Sequence, residues 1–220
     1  MTGFLQPYFE YGGEWWPLLA EAMLNTALLS VAGFFLSVVL GLALLLCQMS
    51  GSAVLRGFAA LYVTTVRGVP LLAILFLLYF GLPGVGITFN AFTAAVLGLS
   101  LCFAAQVSEL LRAGLKAIPK GQREAALAAG FTPAQCFTFI ILPQVVRVIL
   151  SPMIVTFVSL LKDSSLASLI TVNELVLTGR AMATEYFLPL QIYIAVGLCY
   201  FMIGWPFSVL SRRLAAPAAR

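Results

Sequence analysis

The feature that most constrains this chain is a series of apolar runs, each near or above the roughly 20 residues an α-helix needs to cross a bilayer. The run from Leu71 to Phe80 is apolar on every face, so no helical or strand register turns a polar side toward water. Of the 220 residues, 62% are hydrophobic and 9% charged, and the mean hydropathy is +1.05. One water-soluble core cannot hide that much apolar surface, so lipid is the natural solvent. A β-barrel also satisfies its backbone in lipid, but its strands alternate polar and apolar residues, which these runs do not. The expectation is an all-α membrane protein with five transmembrane helices, at about 17–47, 68–88, 91–112, 145–170 and 188–211.

An odd number of spans puts the termini on opposite sides, and the basic residues choose between the two arrangements. With the N-terminus outside, Arg56, Arg67, Arg112, Lys116, Lys120, Arg123, Arg147, Arg212, Arg213 and Arg220 all fall on the cytoplasmic side. Only Lys162 and Arg180 lie elsewhere. The positive-inside rule therefore predicts an outer N-terminus and a cytoplasmic C-terminus, with the acids Glu10, Glu14, Glu21, Glu174 and Glu185 outside. The net charge of +4 is a topological signal and calls for no nucleic acid partner. Glu10 and Glu14 stand where a signal peptide would carry positive charge, so the first run is expected to persist as a helix. Tyr8, Tyr11, Trp15 and Trp16 fit an interfacial aromatic belt beside it.

Cys47, Cys102, Cys136 and Cys199 are widely spaced and read as small core residues, with no metal site or disulfide framework. There is no histidine, the commonest general base and metal ligand. Gly33, Ser37 and Gly41 recur every fourth residue and offer a small-residue face for close helix packing; Gly98 and Ser100 read in the same way. The Arg67-Gly68-Val69-Pro70 sequence admits two readings: a separate interfacial helix over 53–66, or a span entry anchored by arginine.

The whole chain, 1–220, reads as one membrane domain, and its longest polar connection, 113–144, carries its own start and stop signals. Lys120 to Ala129 is a strong helix former, and Gly130 is placed for the left-handed turn beyond its end. Thr132-Pro133-Ala134-Gln135 supplies an N-cap, a first-turn proline and a capping-box glutamine. A second helix is expected to begin there and stop near Leu142-Pro143. Ala125, Ala126, Ala128 and Ala129 would then present a small-residue surface for docking into another protein. Glu124 has a plain alternative, a solvated pair with Lys120 or Arg123 worth a few tenths of a kcal/mol.

With Glu124-Ala125-Ala126, Gly130 and Ile140-Ile141-Leu142-Pro143 at these spacings, the loop resembles the EAA loop of ABC importer permeases. Arg67-Gly68-Val69-Pro70-Leu71-Leu72, Tyr79-Phe80-Gly81-Leu82-Pro83, Gly121-Gln122 and Leu161-Lys162-Asp163-Ser164-Ser165-Leu166 resemble the polar amino-acid and opine branch; Val69 stands where a threonine is common. The resemblance implies the type I importer fold in a bacterial inner membrane. It also implies that Glu124, Ala125, Ala126, Gly130, Ile140, Leu142 and Pro143 couple to an ATP-binding subunit, present in two copies. A second permease chain, identical or homologous, would complete the pathway. A periplasmic or lipid-anchored binding protein would deliver the amino acid.

No GxxxxGK[ST] phosphate loop occurs, so the chain reads as a non-catalytic subunit without a cofactor of its own, ATP and Mg belonging to the partner. The rival reading is a passive channel or ion-coupled carrier, which would use intramembrane acids as relays. For substrate contact the candidates are Asp163, Lys162, Ser164, Ser165 and Glu109. Lys162 and Asp163 interrupt an apolar stretch, where charges face a cavity or a partner. If the helix breaks near Asp163-Ser164-Ser165, backbone N–H groups could receive a carboxylate and Asp163 an ammonium group. Asp163 could instead cap a helix, pair between subunits or anchor at the interface. Glu109 lies one turn before Arg112, which could satisfy it.

Overall fold

The computed structural model describes residues 2–215, and the regular structure among them is helical throughout. A short α1 (Thr2–Glu10) leads into the long α2 (Gly12–Met49). Next come α3 (Ala53–Gly68) and α4 (Leu71–Phe76), the latter continuing as a π turn (Leu77–Gly81) and a 3₁₀ turn (Leu82–Val85). Then follow α5 (Ala91–Ala117), α6 (Lys120–Ala128) and α7 (Pro133–Gln135), whose π turn (Cys136–Ile141) runs into α8 (Leu142–Asp163). A 3₁₀ turn (Ser164–Ile170) leads to α9 (Leu175–Tyr186) and α10 (Pro189–Ala215). Arg220, counted above among the cytoplasmic cations, lies outside the described residues.

Four stretches are long and apolar enough to cross a membrane as continuous helices: 12–49, 91–117, 133–170 and 189–215. The expected span over 68–88 is not one straight helix. There α3 and the 71–85 segment meet at 103°. Pro70 sits at the corner in an extended conformation, and the residue before a proline is driven out of the helical region, which explains the break. The separate helix before the second span is therefore present, two residues longer than 53–66. Counting the bent pair as one crossing gives five spans.

The small-residue face of α2 brings α5 into close approach. Gly33, Ser37 and Gly41 are buried, and a Cβ on Gly41 would lie 2.6 Å from Val107 Cγ1 and 3.2 Å from the Ala104 carbonyl of α5. Only glycine admits that approach. With 38 residues, α2 extends about 57 Å, nearly twice the ~30 Å hydrocarbon layer, so it projects beyond the membrane. In its N-terminal turns Trp16 is exposed, while Trp15 is 1% exposed and packs with Tyr8, Tyr11 and Tyr186. A helix starting at Gly12 turns Trp15 toward the α9–α10 side, where it joins a cluster with Leu175, Met182 and Ile192.

Hydrogen bonds fix the two ends of the bundle. Toward one end Ser151 Oγ, in α8, donates to the Ser211 carbonyl of α10 at 2.9 Å, and Gly204 faces Leu161 and Val158, so α10 runs antiparallel to α8 and points Arg212 and Arg213 toward the α6 end. At the other, Thr26 of α2 accepts from the Leu175 N–H at 3.1 Å, joining α2 to the start of α9. Ser30 of α2 donates to the Ser164 hydroxyl at 3.4 Å, which anchors the 3₁₀ turn.

Candidate functional site

The α6 region is built largely as the sequence predicts. Gly130 has φ +87°, its N–H donates to the Leu127 carbonyl at 3.0 Å, and the Phe131 N–H donates to the Ala126 carbonyl at 3.1 Å. This pair of bonds is the Schellman motif, and it needs a left-handed residue at Gly130. The following cap is also in place: Thr132 N donates to Gln135 Oε1 at 2.9 Å, and Gln135 N to Thr132 Oγ1 at 3.3 Å.

Two details differ from expectation. The helix beginning at Pro133 does not stop at Leu142-Pro143; it continues through the π turn into α8. A wide turn tolerates a residue without an N–H, and Gln144 Nε2 donates to the Ile140 carbonyl at 2.7 Å. The loop is thus the foot of a spanning helix joined to α6, not an independent pair of helices. The second difference concerns the alanines. Ala125, Ala128 and Ala129 are exposed, as are Glu124, Leu142 and Pro143, but Ala126 is buried with Cys136. One face of α6 is spent holding the helix against the π turn, and only the other is open. Among the described residues Glu124 forms no ion pair, so pairing with Lys120 or Arg123 is not made.

The Asp163 region also departs from expectation. The α-helix does not break and restart; at Ser164 it tightens into a continuous 3₁₀ turn that ends where Thr171 adopts φ +65°. No unpaired N–H cluster follows from such a turn, and Asp163 makes no side-chain cap. Ser164 is fully buried, its hydroxyl donating to the Leu161 carbonyl at 2.8 Å, while Lys162 and Asp163 are exposed. Among the described residues neither forms an ion pair. Ser165 is half-buried. Asp163 lines a cavity of roughly 200 Å³ together with Arg67 and Val69 from the α3–α4 corner and Cys102, Phe103 and Gln106 from α5.

Glu109 is committed elsewhere, forming an ion pair with Arg112 and accepting from Gln48 Nε2 at 3.2 Å. Sequence reading missed Gln106 and Arg67 as neighbours of Asp163, and treated Cys102 as core. The corner at Pro70 was the available signal, since it turns the end of α3 toward α5. Glu174 was read only as an outer acid; it is fully buried, accepting from Val176 N, Leu177 N and the Tyr200 hydroxyl at 2.9, 2.8 and 2.6 Å. Burial pushes its carboxyl above the usual range, against the pull of these three bonds.

Comparisons with known proteins agree with this architecture. Residues 33–216 match the family described as "Binding-protein-dependent transport system inner membrane component". The chain is 41% identical over 190 residues to "Probable amino-acid ABC transporter permease protein YckA" of Bacillus subtilis, covering 86% of this chain and 84% of the relative. It is 35% identical to "Probable glutamine ABC transporter permease protein GlnP" of the same organism, covering 93% and 95%. A crystal structure of an amino acid ABC transporter with histidines superposes with a TM-score of 0.86 at 31% identity, covering 93% of this chain and 95% of that one. With most of the chain matched in both sequence and fold, this multi-pass membrane protein belongs to the binding-protein-dependent transport system inner membrane component family, the permease subunits of ABC transporters.

Proposed function

We propose that this chain forms half of the translocation pathway of an ATP-driven importer for polar amino acids or opines. The observation that carries the coupling half of this reading is the exposed face of α6, which bears Glu124 and Ala125 at the bundle end toward which α10 points Arg212 and Arg213. In this reading that end is cytoplasmic, the N-terminus is outside, and the protein resides in the bacterial inner membrane. The 113–144 loop of the single 1–220 domain docks on an ATP-binding subunit through Glu124, Ala125, Gly130, Ile140, Leu142 and Pro143. Ala126 serves from beneath, by seating α6. The importer holds two ATP-binding subunits with ATP and Mg, a second permease chain, identical or homologous, and a periplasmic or lipid-anchored binding protein. The names of the relatives support an amino-acid substrate.

Transport in this scheme is alternating access. Closure of the two ATP-binding subunits moves the two α6 helices together, α8 follows because it is continuous with the loop, and the Asp163 cavity changes its access. Asp163 acts there as ligand or gate, with Ser164 holding its backbone; Lys162 and Ser165 flank it, and Glu109 is left to its arginine. The purified chain is expected to hydrolyse no ATP by itself. Hydrolysis should appear when the ATP-binding subunit is added, measured as phosphate release; release by this chain alone would overturn its assignment as a non-catalytic subunit.

A further inference from the structure

A cavity of about 330 Å³ lies between α6 and the ends of α2 and α5. Its apolar walls come from Met49, the last residue of α2, from Leu115 and Ile118 at the end of α5, and from Phe137 and Ile141 in the π turn before α8. Lys120 and Arg123 of α6 also line it, and no acidic residue does. Among the described residues neither cation forms an ion pair. Arg123 stands one turn before the buried Ala126, on the flank that α6 turns toward the bundle and away from the exposed Ala125 and Ala128.

The level of this cavity decides what suits it. Two apolar helices, α2 and α5, end at its rim, where hydrocarbon gives way to charged loops and where lipid phosphates lie. Met49 and Phe137 are exposed, an apolar surface that acyl chains solvate better than water. Two unpaired cations beside an apolar wall complement an amphiphile with an anionic head.

We infer that this cavity holds an anionic phospholipid of the cytoplasmic leaflet, its phosphate between Lys120 and Arg123 and the head end of its acyl chains on Met49, Leu115 and Phe137. Seated there, the lipid touches α5, α6 and the π turn at once and helps to hold α6 against the foot of α8. The inference takes from the proposed function only that the α6 end is cytoplasmic, and it is independent of the substrate and of the Asp163 cavity. The rival occupants are an acidic segment of the ATP-binding subunit and a free inorganic anion.

The test uses the permease assembled with its ATP-binding subunit and carrying Phe137→Trp as a reporter. It is placed in vesicles of phosphatidylglycerol and phosphatidylcholine in equal parts, with one lipid or the other brominated. Quenching of the added indole, taken as the difference from the complex without the reporter, measures which lipid occupies the cavity. Phosphatidylglycerol is expected to be preferred roughly 10- to 30-fold, about fivefold per cation. Lys120→Gln with Arg123→Gln should bring the two lipids to near equality, whereas Lys120→Arg with Arg123→Lys should keep the preference. Arg212→Gln with Arg213→Gln, and excess inorganic phosphate, should leave it unchanged. Equal quenching by the two lipids in the complex with both cations intact would overturn the inference. A preference that survives the double glutamine substitution, or that falls as far in the Arg212 and Arg213 variant, would also overturn it by showing only the general surface potential. Displacement by phosphate would make this a soluble-anion site. Loss of the ATP-binding subunit from the double glutamine complex, with no lipid preference before the substitution, would assign the cations to that partner.

Discussion

Replacing Gly130 with valine is expected to cut uptake by about tenfold or more while leaving the chain inserted in the membrane at near wild-type level. The reasoning is local. Gly130 holds φ +87°, and a Cβ built there meets nothing within 4 Å, so any penalty is conformational and not a collision. A left-handed conformation costs an ordinary residue about 1–2 kcal/mol, and a β-branched one more. The chain relieves that strain by giving up the bonds from Gly130 N and Phe131 N that close α6. The exposed face of α6 then points elsewhere, while the spans keep their packing. Asparagine tolerates the left-handed region, so activity should fall in the order Gly, Asn, Ala, Val. Uptake in proteoliposomes, set against the amount of inserted chain, measures this. A well-inserted Gly130→Val chain that transports normally would remove the turn from the account.

The second large effect is expected from Asp163→Asn. The substitution keeps size and removes charge, so an ammonium ligand loses a charge-assisted hydrogen bond worth about 1.5–3 kcal/mol, or roughly 10- to 100-fold in affinity. The fold has little reason to suffer, because Asp163 caps nothing and its exposed carboxylate forms no ion pair among the described residues. Uptake and the ATP hydrolysis stimulated by loaded binding protein should be measured together on the reconstituted importer. Loss of uptake with hydrolysis retained places Asp163 as a ligand; loss of both places it as a gate. Wild-type values for both exclude each role.

What could be read in advance depended on the range of the interactions involved. The Gly130 turn and the Thr132–Gln135 cap are closed by residues within a few positions of one another, so local chemistry was enough. The spans follow from hydropathy averaged along the chain. The burial of Ala126, Trp15 and Glu174 depends on which distant surface each meets: the π turn for the first, the Tyr8–Tyr186 ring cluster for the second, Tyr200 for the third. Pro143 looked like a stop because proline is unfavourable inside an α-helix, but a π turn immediately before it changes the requirement. The company of Asp163 was out of reach for the same reason. Arg67 comes from 96 positions earlier in the chain and meets the cavity only because α3 turns through 103° at Pro70.

The central claim is that ATP hydrolysed by a partner drives solute through this chain by way of α6. The most direct measurement is uptake of labelled amino acid by proteoliposomes holding this permease, its ATP-binding subunit and any second permease chain, with loaded binding protein on the opposite face. Uptake is expected only when hydrolysable ATP is present on the ATP-binding side, and it should be unchanged when proton and sodium gradients are collapsed. Accumulation driven by an ion gradient without ATP would contradict the account and establish the carrier reading in its place.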